Sequence, residues 1–294
     1  MKSIELGLEW FLNPDHLPFI AGIEKGWFRD AGLDLTLIEP EGHYDGLADV
    51  AKGKLAFACN EPLHMIDEAR PGLRALGCFF ETEGGVMLTP EGEQALAHGE
   101  TIRVASPVAG EVTDDLARLI VSRWCEREGI RFESSQLQIE SAGFEHLKNL
   151  QAGYQGAWLC FANFEGVEAQ ELGVAARLIS STEVDLPNFS ALELFTGEAF
   201  QREYPEVIEA VTRIVSEGAT LCREDPEEAK RLWYRFSGEE QNDLMDAIVI
   251  DTSLRLVAPV VADAERWRDM WEQFHRMGLS QVDQTAYDEI FAPV

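Results

Sequence analysis

The chain is predicted to be an α/β protein of two lobes, each a mixed sheet flanked by helices, with a ligand held in the cleft between them. Three observations carry this. Short apolar runs alternate with helical patterns from the first residues to about position 200, as in successive βαβ units. At 294 residues the chain is long for one core and comfortable as two. Two polar stretches, 90–100 and 180–188, interrupt the pattern, so residues 1–89 and 190–294 make a discontinuous first lobe and 90–189 an inserted second lobe.

A strand over 4–8 delivers Glu9 and Trp10 to its carboxyl end, and the breakers Asn13, Pro14 and Asp15 open a helix over 17–29. Ligands of open α/β sheets bind outside the carboxyl ends of strands, which places Trp10 and His16 to meet one. Gly26 and Gly32 mark the helix end, and a strand over 33–38 completes a βαβ unit. A loop over 42–46 leads to a short helix ending near Lys52 and a strand over 54–58. Asn60 is then an N-cap, Pro62 suits a first turn, and His64 lies in that turn. On spacing alone His64 is explained as well by packing as by ligand contact. Strands over 73–80 and 86–89 precede the crossing at 90–100.

A strand over 102–105 restarts the pattern, followed by Ser106 to Gly110, Glu111 and a helix over 112–128. Small residues ahead of a helix offer N–H groups to an anion, but this run has no glycine-rich fingerprint and no P-loop lysine. A strand over 137–139, a helix over 144–151 and a strand over 156–161 come next; the last runs into Asn163 as N-cap and Glu165 in the first helical turn. A strand over 175–179 closes the lobe, and one over 190–196 re-enters the first lobe. Residues 198–205 turn, and the remainder is mostly helical, over 206–217, 226–234, 239–247, 263–277 and 284–291. Trp267, Met270, Trp271 and Phe274 recur at i, i+3, i+4 and i+7, the spacing of a packing stripe. The tail is expected to buttress the first lobe.

Charge excludes one class of partner. With 24 Lys plus Arg against 53 Asp plus Glu, the net charge is −29, and no basic cluster exists to displace phosphate counterions; nucleic acid is not a partner. The acidity reads as a strongly solvated surface. No apolar run approaches the roughly 20 residues of a membrane span. Cys59, Cys78, Cys125, Cys160 and Cys222 have neither C-x-x-C nor metal spacing, so buried free thiols in a reducing setting are expected, with no disulfide frame and no metal site. The opening MKSIELGLEW enters a strand directly and reads as cytoplasmic; a mature chain stripped of its leader reads the same and belongs in the periplasm.

Several segments resemble a family. Glu9-Trp10-Phe11, Glu24-Lys25-Gly26-Trp27-Phe28, Ala31-Gly32-Leu33-Asp34 and Gly53-Lys54-Leu55-Ala56-Phe57 resemble solute-binding proteins of the alkanesulfonate and thiamine-pyrimidine type, including those that capture formyl-aminopyrimidine. That resemblance implies the periplasmic-binding-protein-like type II fold and, if the chain is exported, an ABC transporter permease as partner. Asn13-Pro14-Asp15-His16-Leu17-Pro18 looks like the Pro-x-His-x-Pro segment of fungal-type thiamine-pyrimidine synthases, and Ile38-Glu39-Pro40 like the end of their second strand. His64 falls where those enzymes hold the histidine consumed to build the pyrimidine, and Phe164-Glu165-Gly166-Val167-Glu168 resembles the segment whose first glutamate binds the ring. Two departures stand out. Asn60 occupies the place of the lysine that anchors pyridoxal phosphate, and Phe189 to Leu194 holds no cysteine where the synthases have a cysteine-rich cluster.

The expected function is capture of a thiamine-related aminopyrimidine without catalysis and without a cofactor. Trp10 offers a flat face for stacking, and Glu165 a carboxylate to pair with a ring nitrogen and its neighbouring amine. His16, Asn60, His64 and Asn163 supply further polar contacts. Two alternatives remain: a divergent synthase using His64 with pyridoxal phosphate and iron, and a binding protein for a sulfonate or other small anion held by Ser106 to Gly110.

Overall fold

The computed structural model describes residues 1–40, 46–110 and 113–293. Residues 42–45 of the expected loop, together with Glu111 and Val112, lie outside the described residues. The strands are β1 (Lys2–Gly7), β2 (Leu33–Ile38), β3 (Phe57–Asn60), β4 (Leu73–Glu81), β5 (Gly84–Leu88), β6 (Ile102–Ser106), β7 (Leu137–Ser141), β8 (Gly156–Phe161), β9 (Arg177–Ser180) and β10 (Ala191–Gly197). The chain divides into two compact units, one of Met1–Glu81 with Phe189–Val294, the other of Thr82–Asn188.

In the first unit the sheet order is β2-β1-β3-β10-β4. β1 runs parallel to β2 and β3, so the carboxyl ends of β1 and β3 lie on one edge, and β10 is inserted antiparallel between β3 and β4. The inward residues of β1, Ile4 and Leu6, join Leu35, Phe57, Phe79 and Leu194 in one core. That core also takes in Phe19 and Ile20 of the helix Leu17–Glu24 and Val211, Ile214 and Val215 of the helix Pro205–Glu224.

The expected helix over 17–29 is two pieces, Leu17–Glu24 and Trp27–Asp30, because Gly26 turns left-handed at φ 78° between them. The helix expected over 206–217 runs from Pro205 to Glu224, since Gly218, Ala219 and Cys222 continue its buried stripe. Residues 198–203 are helical where a turn was expected: Glu198 and Arg202 pair at 3.7 Å across one helical turn, and Phe200 meets the Phe57 ring edge-on at 5.5 Å. In the tail, Trp267, Met270, Trp271 and Phe274 are all buried, and Trp271 stacks on Tyr287 at 5.0 Å, the packing role read from their spacing.

The second unit repeats the plan. Its order is β7-β6-β8-β5-β9, with β6 parallel to β7 and β8 and with β5 antiparallel between β8 and β9. This moves the expected boundary. β5 belongs to the second sheet, so the chain crosses between Glu81 and Thr82 rather than at 90–100, and 90–97 is a helix. The local chemistry explains it: the Thr89 hydroxyl accepts from the Gly92 N–H, Pro90 opens the first turn, and Glu91 and Glu93 favour the positive end of the dipole. The return crossing falls between Asn188 and Phe189, close to the expected position.

The five cysteines are free and buried. No helix among the described residues is long and apolar enough to cross a membrane.

Candidate functional site

Where β1 ends, the chain turns through Glu9, Trp10 and Phe11 into a 3-10 turn, Pro14–His16, that leads into the helix Leu17–Glu24. Asn13 makes the turn: its Oδ1 accepts from the Asp15 N–H at 2.8 Å and its Nδ2 donates to the Phe11 carbonyl at 3.1 Å. Trp10 is half-buried and meets Phe11 edge-on, centroids 6.0 Å apart. His16 lies deeper than the sequence suggested. It is fully buried, with Nε2 at 3.1 Å from both Glu9 carboxylate oxygens and Nδ1 at 3.2 Å from the Asn13 backbone.

Cys59, one residue before the end of β3, brings its Sγ to 3.0 Å from Glu9 Oε2. Glu9, His16 and Cys59 thus form one cluster whose ligand atoms all lie within 4.8 Å of one another. Burial alone would push the Glu9 carboxyl up, but the His16 imidazole and the Cys59 thiol reverse this and hold it below the usual range. Burial would likewise lower His16, and the Glu9 carboxylate more than restores it, so His16 is raised. The Cys59 thiol is pushed well up, by burial first and by Glu9 second.

Asn60 ends β3 and is buried; its Oδ1 accepts from the Glu61 N–H at 2.9 Å. It therefore braces its own turn, while Pro62 holds the N-cap place of the helix Leu63–Asp67. A carboxamide has no amine with which to form a Schiff base, so the position does not fit pyridoxal phosphate anchoring. His64 is half-buried between two carboxylates, Nε2 at 3.4 Å from Glu61 and Nδ1 at 3.2 Å from Asp67. Burial lowers its pKa, and the Asp67 hydrogen bond with the charges of Glu61 and Asp67 overcomes this, so the net shift is upward. Arg70 donates to the His64 carbonyl at 2.6 Å and to Asp67 at 2.9 Å, fixing the short helix.

In the second unit, β8 ends in a π-helical turn, Ala162–Gly166, ahead of the helix Val167–Leu172. Leu159, at φ 63°, is the extra residue of a bulge: Gly85 faces Cys160 and Val86 faces Trp158. Glu165 turns back so that its Oε2 accepts from the Phe161 N–H at 2.8 Å. Asn163, expected as the N-cap, is instead buried inside the turn, and Phe161 holds the cap position. π turns and bulges of this kind concentrate at functional sites because they re-aim side chains that a regular strand or helix would point elsewhere.

Ser106 and Gly110 give a different result. The buried Ser106 hydroxyl donates to the Val108 carbonyl at 2.8 Å and accepts from the Val108 N–H at 3.3 Å. The Gly110 N–H donates to the Asp114 carboxylate at 2.8 Å. One of the N–H groups that an anion would use is thus already taken up by an anionic side chain.

Sequence reading placed Trp10, Asn60, His64 and Glu165 at strand carboxyl ends, where they are found. It missed Cys59 as a neighbour of Glu9 and His16, because the three come from separate elements and no sequence spacing joins them.

The two sheets, each of the order second-first-third-inserted-fourth strand, define a two-lobe binding-protein fold of type II. The periplasmic aliphatic sulphonate binding protein SsuA from Escherichia coli has the same fold, with a TM-score of 0.68 at 13% identity over 100% of this chain and 93% of that one. A family model described as NMT1/THI5 like matches residues 13–229, and the chain belongs to that family. It is 23% identical over 291 residues to a formylaminopyrimidine-binding protein of Halalkalibacterium halodurans, covering 94% of this chain and 86% of that protein. It is 22% identical over 242 residues to a 4-amino-5-hydroxymethyl-2-methylpyrimidine phosphate synthase of Legionella pneumophila, covering 79% and 73%.

Proposed function

We propose that the chain is a small-molecule binding protein that captures a thiamine-related aminopyrimidine. The observation that carries the reading is Glu165: the Phe161 N–H holds its carboxylate in a fixed orientation at the carboxyl end of β8, ahead of a π turn. A carboxylate held this way pairs with the ring nitrogen and exocyclic amine of an aminopyrimidine, two charge-assisted bonds made at once. The first unit, taken by itself, offers Trp10 as an aromatic face and His64, favoured as its cation by Glu61 and Asp67, as a hydrogen-bond donor. The similarity to a formylaminopyrimidine-binding protein over nearly the whole chain supports the same ligand class.

The anion reading is weaker on chemical grounds, since the Asp114 carboxylate occupies the Gly110 N–H. The synthase reading meets Asn60 in place of an amine.

Isothermal calorimetry with formylaminopyrimidine, hydroxymethylpyrimidine, thiamine and an alkanesulfonate separates these. The expected result is tight binding of an aminopyrimidine and a loss of about ten- to a hundred-fold in Glu165→Gln, the worth of one hydrogen bond to a charged group. Binding of the sulfonate alone, or full affinity in Glu165→Gln, overturns the proposal. Incubation with pyridoxal phosphate and iron is expected to leave the mass of the His64 peptide unchanged; loss of the imidazole would make the chain a synthase.

A further inference from the structure

We propose that Glu9, His16 and Cys59 form a binding site for a single zinc-class divalent cation. The three side chains come from three elements that the first sheet brings to one edge: Glu9 two residues beyond β1, Cys59 in β3 alongside it, and His16 at the end of the 3-10 turn that follows. His16 and Cys59 are buried, and the Glu9 side chain is 8% exposed, so the cluster opens outward only through the carboxylate.

The donor set selects the metal. A thiolate, an imidazole and a carboxylate together suit Zn²⁺ and its cobalt analogue; magnesium and calcium require oxygen ligands throughout. Tetrahedral zinc with bonds of about 2.0–2.3 Å places its ligand atoms about 3.3–3.6 Å apart. Here Glu9 Oε2 lies 3.0 Å from Cys59 Sγ and 3.1 Å from His16 Nε2, and all three ligand atoms lie within 4.8 Å of one another, so rotamer adjustments bring them to those separations.

The outer shell is also in place. The Asn13 N–H and the Asn13 carbonyl oxygen both lie 3.2 Å from His16 Nδ1; with Nε2 on the metal, Nδ1 carries the ring proton and turns it to that carbonyl. Three protein ligands leave a fourth position, the arrangement of zinc sites that retain a water or bind a further small ligand.

Charge balances as well. Metal entry breaks the Cys59 S–H bond and sends that proton to solvent, leaves His16 a neutral imidazole with its one proton on Nδ1 (a second ring proton, if present, also goes to solvent), and forms the metal–sulfur, metal–nitrogen and metal–carboxylate bonds. The product, one dication with one carboxylate and one thiolate, is neutral overall, which a buried site favours over an unpaired charge. None of this depends on the ligand class proposed above.

Cobalt titration of the intact chain, freed of metal by a chelator, is the test. The expected result is one Co²⁺ per chain by native mass spectrometry, a thiolate-to-cobalt charge-transfer band with tetrahedral visible bands, and displacement of both by one equivalent of Zn²⁺. In Cys59→Ser the charge-transfer band is expected to disappear; in Glu9→Gln the affinity is expected to fall at least ten-fold. Absence of the band in the wild-type chain at neutral pH overturns the proposal without any variant. A band unchanged in Cys59→Ser, which would trace it to another of the five thiols, overturns it too.

Discussion

Glu193 lies in β10, the strand inserted between β3 and β4, with its carboxyl buried and accepting the Trp267 indole N–H at 2.9 Å. Burial pushes its pKa up to about 8, against the partial relief given by Trp267 and Arg266. The native state therefore holds a proton that the unfolded chain releases near 4.5. Because the fold binds more protons over that interval, stability falls as pH rises from about 4.5 to about 8, with a slope of at most about 1.4 kcal/mol per pH unit. Glu193→Gln keeps an acceptor for the indole and removes the titration. Urea melts across this range are expected to show the variant overtaking the wild type at the alkaline end; parallel curves would mean that Glu193 does not hold its proton. The same scale shows what sequence reading can and cannot see. The positions of Trp10, His64 and Glu165 past strand ends were legible because a strand end followed by a turn is written in local chemistry. The depth of His16 was not, because it depends on Glu9 and Cys59 meeting across β1 and β3. Nor was the bulge at Leu159, because a left-handed backbone is signalled by glycine and a leucine gives no such sign.

Among the helices, the contact between Leu17–Glu24 and Pro205–Glu224 has the least room. A Cβ on Gly218 would stand 2.2 Å from the Pro18 carbonyl oxygen, and one on Gly22 would stand 2.5 Å from the Phe28 ring and 2.6 Å from Ile214. The glycines let two helices approach closely enough for Phe19, Ile20, Val211 and Ile214 to share one core. Propensity alone predicts that Gly218→Ala stabilises its helix by up to about 1 kcal/mol. Packing predicts the opposite: backbone must move to relieve the clash, costing about 1–3 kcal/mol or more. The expected outcome is net destabilisation, read as a lower urea midpoint with an unchanged m-value. An increase in the midpoint would show that the helices separate freely. The sequence places the first helix by the breakers Asn13, Pro14 and Asp15 ahead of it and the second by its amphipathic stripe. Which glycine is a contact and which is tolerated is a tertiary fact. The boundary near residue 90 was misplaced for a related reason: β5 is apolar enough for either sheet, and only its pairing with β8 and β9 assigns it to the second unit.

At the scale of the whole chain the dominant fact is charge, with 53 acidic against 24 basic residues. Salt acts on it in two opposing ways. Screening weakens exposed pairs such as Arg103 with Glu140 and Arg213 with Glu217, each of which contributes little by itself. It also weakens the mutual repulsion of the excess acids, which acts over longer distances and is therefore screened first, as the Debye length shrinks from about 30 Å at 0.01 M to about 10 Å at 0.1 M. Close pairs keep most of their attraction over that interval, so relief of repulsion wins and stability rises with salt. Melting temperature at neutral pH is expected to climb by a few degrees between about 0.01 and 0.2 M sodium chloride, with most of the gain below about 0.1 M. Choline chloride at equal ionic strength should give the same curve if screening is the cause, whereas a gain seen with sodium alone would point to ion binding at particular carboxylates. A fall in melting temperature would mean that the ion pairs outweigh the repulsion. Run in Glu193→Gln as well, the titration is free of a buried carboxyl whose pKa of about 8 makes it change charge near neutral pH, so a salt response that persists in the variant does not come from Glu193.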